Sequence, residues 1–344
     1  MSLIILGDTH FGASNSSPIV HANMKKFYTD FFQYIDDHSI KTVLQLGDLF
    51  DVRKHINTWS LNFFREVFLK PCIERNLKVI VLLGNHDIFY RESLQISSVE
   101  EVLTPYSEWF TIVREPTDMR IAGKDFLLVP WVCRENATQV SSAIEDSDAT
   151  YCAGHFEFNG FELFRGQLAK THHTHDAYKK FDKVFSGHYH HMSSKDNVLY
   201  TGTPYELTWQ DCNTTKGFFV LQDDSTLELV ENPHSLYASF QLSKVELFTE
   251  DLVKEKHVRI TVDVPLEPKE REALLDRIHS MKPHSVKLIE TKLDASETSN
   301  VTYAPTTTVT ELIADYIDNI TVNQSIDKST LSNILMNLYV EASA

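Results

Sequence analysis

Acidic, amide and imidazole side chains recur behind short apolar runs along this chain. Asp8-Thr9-His10 follows Leu3 to Leu6, Gly47-Asp48-Leu49-Phe50-Asp51 follows Val43 to Leu46, and Gly84-Asn85-His86-Asp87 follows Val79 to Leu83. Gly187-His188-Tyr189-His190 follows Val184-Phe185, and Gly154-His155 follows the weaker run Tyr151 to Ala153. Each run reads as a strand. Strands of one sheet end side by side, so the residues just past them are expected on one rim, where open α/β sheets bind ligands. Asp8, His10, Asp48, Asn85, His155, His188 and His190 together are enough for two divalent cations that share a carboxylate. Such a centre performs metal-assisted hydrolysis.

A phosphodiester suits that chemistry, because its charge repels nucleophiles until it is neutralised. Two cations about 3.5–4 Å apart bind the phosphate, lower the pKa of a trapped water towards ~7 and align attacker with leaving group. Imidazole mixed with carboxylate favours manganese, iron or zinc over magnesium. Gly7, Gly47, Gly84, Gly154 and Gly187 each precede a candidate ligand, where glycine permits a sharp turn and close backbone approach. Any one motif alone reads more readily as a polar turn; the ordered set carries the inference. His155 rests on order alone, since Cys152 and Phe156 beside it suit a core position.

The elements that must position these residues alternate in type. Residues 19–37 and 58–75 have helical apolar spacing, with Pro71 expected to interrupt the second. Ser93 to Leu103 reads as a third helix. Thr111 to Val113, Asp125 to Val132, Val198 to Tyr200, Gly217 to Leu221 and Leu227 to Val230 read as strands. The fold class is α/β, an αββα sandwich. Its expected extent is 1–240. A β-α-β module over 241–292 follows, with strands Val258 to Val264 and Ser285 to Ile289 around a helix Pro268 to Ile278. A polar linker, 293–307, leads to a helical hairpin, 308–344, that opens with the capping-box spacing Thr308-Val309-Thr310-Glu311. Its two apolar stripes require either this chain or a partner to cover them.

The chain has 344 residues, 42% of them apolar, and a formal net charge of −16 without blocks of positive charge. That balance argues against a binder of nucleic acid by charge alone. Bound cations or a basic partner subunit are expected to offset it. Cys72, Cys133, Cys152 and Cys212 form no paired motif and suit a reducing cytoplasm. The N-terminal apolar stretch is too short for a signal peptide, and no segment is long and apolar enough to cross a membrane.

The order and spacing of the five motifs resemble the calcineurin-like metallophosphoesterases. Gly47-Asp48-Leu49-Phe50-Asp51 and Tyr200-Thr201-Gly202-Thr203-Pro204 resemble the DNA double-strand-break repair branch, and the compact length and Leu338-Tyr339-Val340-Glu341-Ala342 resemble its tailed-phage nuclease subunits. The resemblance implies Asp8, His10, Asp48 and His190 around one metal. It implies Asp48, Asn85, His155 and His188 around the other, with Asp48 bridging. His86 would face the scissile phosphate, while Asp51 and Asp87 would orient an imidazole; Asp51 stands where several members carry histidine. Also implied are manganese as the metal, exonuclease action on duplex DNA and endonuclease action on single strands. The implied partners are an SMC-like ABC ATPase with a coiled coil, bound by the C-terminal hairpin, and a second copy in a homodimer. The setting is cytoplasmic, that of the host for a phage protein. The 241–292 module would be a DNA-binding cap.

Three other classes compete: a phosphomonoesterase or small-substrate phosphodiesterase, favoured by the acidity; a non-catalytic tether for the ATPase; and a protein phosphatase. His172, His173 and His175 read as solvated loop residues rather than a separate metal site. Arg53-Lys54 and Lys179-Lys180 read as surface charge, and Trp131 and Trp209 as packing residues before base-stacking ones.

Overall fold

The computed structural model describes residues 2–164 and 166–290. The linker and hairpin expected over 293–344 lie outside the described residues. Two six-stranded sheets carry the fold. The first runs Leu227–Glu231, Gly217–Leu221, Leu3–Leu6, Thr42–Gln45, Lys78–Leu82, Phe110–Val113 across its width. From Leu3–Leu6 onward its strands are parallel. The second runs Ser193–Lys195, Val198–Tyr200, Lys183–Gly187, Tyr151–His155, Lys124–Val129, Thr117–Ile121, with the four inner strands parallel.

The uninterrupted apolar runs follow from burial on both faces. Leu3 and Ile5 join the core between the sheets, while Ile4 and Leu6 face the helices on the opposite side. Leu44 and Leu46, against Val43, divide in the same way. In the second sheet Phe126 and Leu128 point to the shared core, and Leu127 and Val129 to its outer layer with Val140 and Ile144. Alternation with a period of two thus builds the four layers α, β, β, α.

The motif strands do not share one sheet, which corrects the expectation. Leu3–Leu6, Thr42–Gln45 and Lys78–Leu82 belong to the first; Tyr151–His155 and Lys183–Gly187 belong to the second. The rim is therefore formed by two stacked sheets whose strand ends face each other.

Helix Pro18–Asp37 begins with Pro18 and buries Val20, Met24, Phe27, Tyr28, Phe31 and Ile35 along one stripe. The second helical segment corrects another expectation. Pro71 does not interrupt it: α-helix Thr58–Phe64 widens into a π-helical stretch, Arg65–Leu69, and continues through Lys70–Glu74. The Lys70 N–H donates to the Arg65 carbonyl, five residues back, and the widened turn accommodates the missing N–H of Pro71. The expected helix from Ser93 starts later. Ser93–Ser97 is a strand against Ile88–Tyr90, and Ser97 caps helix Ser98–Leu103 by accepting from the Val99 N–H.

Beyond the sandwich, three parallel strands lie in the order Tyr237–Gln241, His257–Val262, Ser285–Glu290. Val258 and Ile260 are fully buried beneath Leu274 and Ile278 of helix Pro268–Ser280. The strand Tyr237–Gln241 had no sequence signal beyond a short mixed run. The Glu206 carboxylate accepts from the Leu236 and Tyr237 N–H groups at 2.6 and 2.8 Å, and Arg259 stacks 3.7 Å over Trp209.

Candidate metal centre

The loops leaving the five motif strands bring all seven candidate ligands together. His10 Nε2 and His190 Nε2 are 3.0 Å apart, with Asp8 beside them. Asn85 Oδ1 lies 3.0 Å from His155 Nε2 and 2.9 Å from His188 Nδ1. Asp48 joins the two groups: its Oδ2 is 3.3 Å from His155 Nε2 and 3.8 Å from His10 Nε2. The remaining Asp48 oxygen accepts the His86 N–H at 2.7 Å, which holds the shared oxygen in place.

This convergence is bought with backbone strain. His10, Asp48 and His188 have φ of 43°, 52° and 85°, in the region that L-residues avoid. Each such residue costs of order 1–3 kcal/mol, and such residues cluster at functional sites. Two glycines permit close approach. A Cβ on Gly84 would stand 2.2 Å from Asp48 Oδ1, and one on Gly187 2.4 Å from Asp8 Oδ1.

The imidazoles are held from behind. The Leu46 carbonyl, 2.8 Å from His155 Nδ1, can only accept, so Nδ1 carries hydrogen and Nε2 faces the cluster. Asp51 Oδ1 stands 3.2 Å from His10 Nδ1, an ion-pair contact when that ring is protonated. The Asp51 carbonyl takes the Nδ1–H of His86, which identifies the anchor of that ring. Asp87 behaves differently from expectation. Its carboxylate accepts from Gly84, Leu49 and Phe50 N–H groups, so it ties two motif loops together and orients backbone rather than an imidazole.

The charge pattern is that of a cation site. Burial, opposed by His155 and reinforced by the Asp48 charge, pushes the Asp8 carboxyl up to about 7. Asp48 is also penalised by burial, yet His155 and His10 hold it well below the carboxylate range. Burial works against protonating His10 and His155, but it is outweighed. The Asp51 hydrogen bond and the Asp48 charge raise His10 to about 9, and the charges of Asp48 and Asp8 raise His155 to about 9. Burial and the His155 charge lower His188 to about 3; burial and the His10 charge hold His190 well below its usual value. Without a cation, protons on two imidazoles balance the buried carboxylates. Asp8 Oδ1 is buried with no hydrogen-bond partner among the described residues. The spacing also fits: two nitrogens bound at right angles to one ion, each about 2.1 Å from it, would lie about 3 Å apart. The donor set of nitrogen and carboxylate oxygen suits a divalent transition metal.

A third cluster, His10, Asp51 and His86, also has ligand atoms within 4.8 Å. The Asp51 carbonyl already takes the His86 Nδ1–H and His10 Nε2 faces His190, so it reads as support.

Other singled-out residues divide. Trp131 is half-buried, with ring centroids 5.1 Å from His188 and 5.9 Å from His155, so it walls the site. Trp209 packs between Arg259 and Tyr237. Lys179 pairs with Asp176, and Lys180 donates to the Ile144 and Glu145 carbonyls. His175 is not solvated: it is buried against Phe158 and Phe161, with Nε2 2.8 Å from Asp196 Oδ2. His172 and His173 are exposed and line a cleft of about 650 Å³ that borders His155 and Trp131. Sequence reasoning passed over Gln45, whose amide bonds the Gly47 N–H and carbonyl; one polar residue in an apolar strand was the available signal.

Residues 1–192, more than half of the 344, match the family profile described as calcineurin-like phosphoesterase. The chain belongs to that family. This calcineurin-like phosphoesterase is 28% identical over 346 residues to exonuclease subunit 1 of Enterobacteria phage T4, covering 99% of each chain. It is 22% identical over 286 residues to the SbcD component of nuclease SbcCD from Staphylococcus epidermidis, covering 74% of this chain and 75% of that one. Over 90 residues it is 33% identical to the DNA double-strand break repair protein Mre11 of Sulfolobus acidocaldarius, covering 25% and 22%. The phosphoesterase fold and the candidate ligands agree with the sequence-based expectation of a metal-dependent hydrolase.

Proposed function

We propose that this phosphoesterase is the nuclease subunit of an ATPase–nuclease complex, hydrolysing DNA phosphodiesters in recombination, repair and end processing. The observation that carries the reading is the pair of ligand clusters, one of them containing Asp48, whose Oδ2 also lies 3.8 Å from His10 Nε2 of the other. In this reading Asp8, His10, Asp48 and His190 hold one divalent cation, and Asp48, Asn85, His155 and His188 hold the other, manganese foremost. When bound, such cations supply Lewis acidity towards the phosphate and activate water at neutral pH.

The chain's own residues do the rest. His86 is half-buried, and with Nδ1 committed to the Asp51 carbonyl its Nε2 is left for a phosphate oxygen or the leaving oxygen. Asp51 orients both His10 and His86. Asp87 keeps the Asp48 and Asn85 loops in register through three backbone N–H bonds.

DNA as substrate is supported by the names of the three relatives, two of which are subunits of larger nucleases. We extend the reading to an ABC ATPase partner with a coiled coil, docked by residues 308–344, and to a cytoplasmic setting. A homodimer through the first helices is supported by Trp59, 55% exposed on helix Thr58–Phe64. The module at 241–292 is proposed as the DNA-binding cap. The net charge of −16 favours a second reading, a small-substrate phosphodiesterase.

Manganese-dependent turnover of labelled duplex, single-stranded circles and a nitrophenyl phosphodiester separates the two. DNA cleavage abolished by chelator and by Asp48→Asn is expected. Hydrolysis of the small diester alone, with and without the ATPase, overturns the nuclease reading.

A further inference from the structure

We infer that Lys216 is a positioning residue for the His190 side of the centre, acting through the His190 backbone carbonyl. The inference rests on the metal reading above.

His190 has no ladder to hold it. It lies past the end of strand Lys183–Gly187 and before Ser193–Lys195. His155, by contrast, ends a strand, and the His188 N–H is pinned to Asp8 Oδ2 at 2.8 Å. What fixes His190 is its carbonyl, which accepts from the Thr203 N–H at 3.1 Å and from Lys216 Nζ at 2.8 Å.

Lys216 is built for that contact. Its side chain is 3% exposed, and its ammonium has three hydrogens and three acceptors: Asp211 Oδ1 at 2.6 Å, Thr203 Oγ1 at 2.8 Å and the His190 carbonyl. Asp211 is itself immobilised, because its other oxygen accepts the Leu207 and Thr208 N–H groups. Two of the ammonium hydrogens are thus aimed by rigid partners, and the third has one direction left, towards His190. A buried ion pair adds little to stability over apolar packing, so the role assigned to this one is placement rather than strength. The loop that presents His190 towards His10 is then set by a cation outside the ligand shell.

Manganese binding to the full chain, read by electron paramagnetic resonance, tests this on two variants. The double substitution Lys216→Met with Asp211→Asn removes the pair without leaving a buried charge. Lys216→Arg keeps the charge but replaces three diverging hydrogens by a planar fork. Wild type is expected to bind two manganese ions. Both folded variants are expected to weaken one of the two sites, by about tenfold or more for the double variant, as is usual for groups that orient ligands. Hydrolysis should recover as manganese is raised, which separates a positioning role from a catalytic one. If the double variant does not fold, Lys216→Arg decides alone. A folded variant of either kind that binds both ions with wild-type affinity overturns the inference. A wild-type chain that binds no manganese overturns the metal reading itself.

Discussion

Replacing Gly84 by alanine adds one methyl group against Asp48. The new Cβ would stand 2.2 Å from Asp48 Oδ1, 2.3 Å from its amide nitrogen and 2.9 Å from Cγ. Ordinary contact begins near 3.4 Å, so the two loops must part by about 1.2 Å, the difference from 2.2 Å. The Gly84 backbone is outside the left-handed region, so the effect is steric and not conformational. Asp48 cannot swing aside, because its Oδ1 is held by the His86 N–H and its own φ is already 52°. A displacement of about 1 Å in a reacting constellation costs roughly 100-fold in rate. Overpacking a buried contact costs about 1–3 kcal/mol. Gly84→Ala should therefore lower manganese-dependent turnover of a small diester by roughly two orders of magnitude and shrink the melting shift produced by manganese. The control is Gly123→Ala. It has nothing within 4 Å of its Cβ and a φ of 83°, so it should lose about 1–3 kcal/mol of stability and no activity. Wild-type turnover and an unchanged manganese shift in Gly84→Ala would refute the idea that this close approach seats Asp48.

His86→Ala retains the backbone donor to Asp48, so it should bind manganese normally while turnover falls about 100- to 1,000-fold; loss of an ion instead would make the His10, Asp51 and His86 cluster a true site. Asp87→Asn withdraws one acceptor from the Gly84, Leu49 and Phe50 N–H groups and should cost about 1–3 kcal/mol in urea unfolding, and an unchanged midpoint would count against its tying role. Above about pH 6.5, where the lowered His188 and His190 are neutral in both the folded and unfolded chain, the metal-free fold should lose stability as pH rises. Asp8, raised to about 7, contributes below 3.8 and loses that contribution through 7, while His10 and His155, raised to about 9, contribute below 6.5 and lose it through 9. Manganese requires the deprotonated forms, so its melting increment should be larger at about pH 8 than at about pH 6, and an equal or smaller one at the higher pH contradicts the ligand set.

How far the sequence could be read depended on how local the signal was. Leu3 to Leu6 and Val43 to Leu46 read as strands from their apolar runs, and the ordered motifs point to a hydrolytic metal centre, while burial of those strands on both faces shows only in the fold. Helix boundaries near Pro71 and Ser93 went astray. A π-helical stretch and a strand with a capping serine depend on what packs alongside. The sequence does not show that His175 is enclosed, because Asp196 and Phe161, which surround it, are distant in the chain.

By itself the sequence determined which residue types stand at strand ends, since apolar periodicity and a following glycine are encoded within a few positions. The tertiary structure alone decided that these ends come from two sheets and that Asp48 sits between both imidazole groups. It also decided that Asp87 ties backbone and that Lys216 reaches the His190 carbonyl. Those relations join residues far apart in the chain. Their geometry is set by how the layers stack and by which buried charges must find partners, and neither is written in any local stretch.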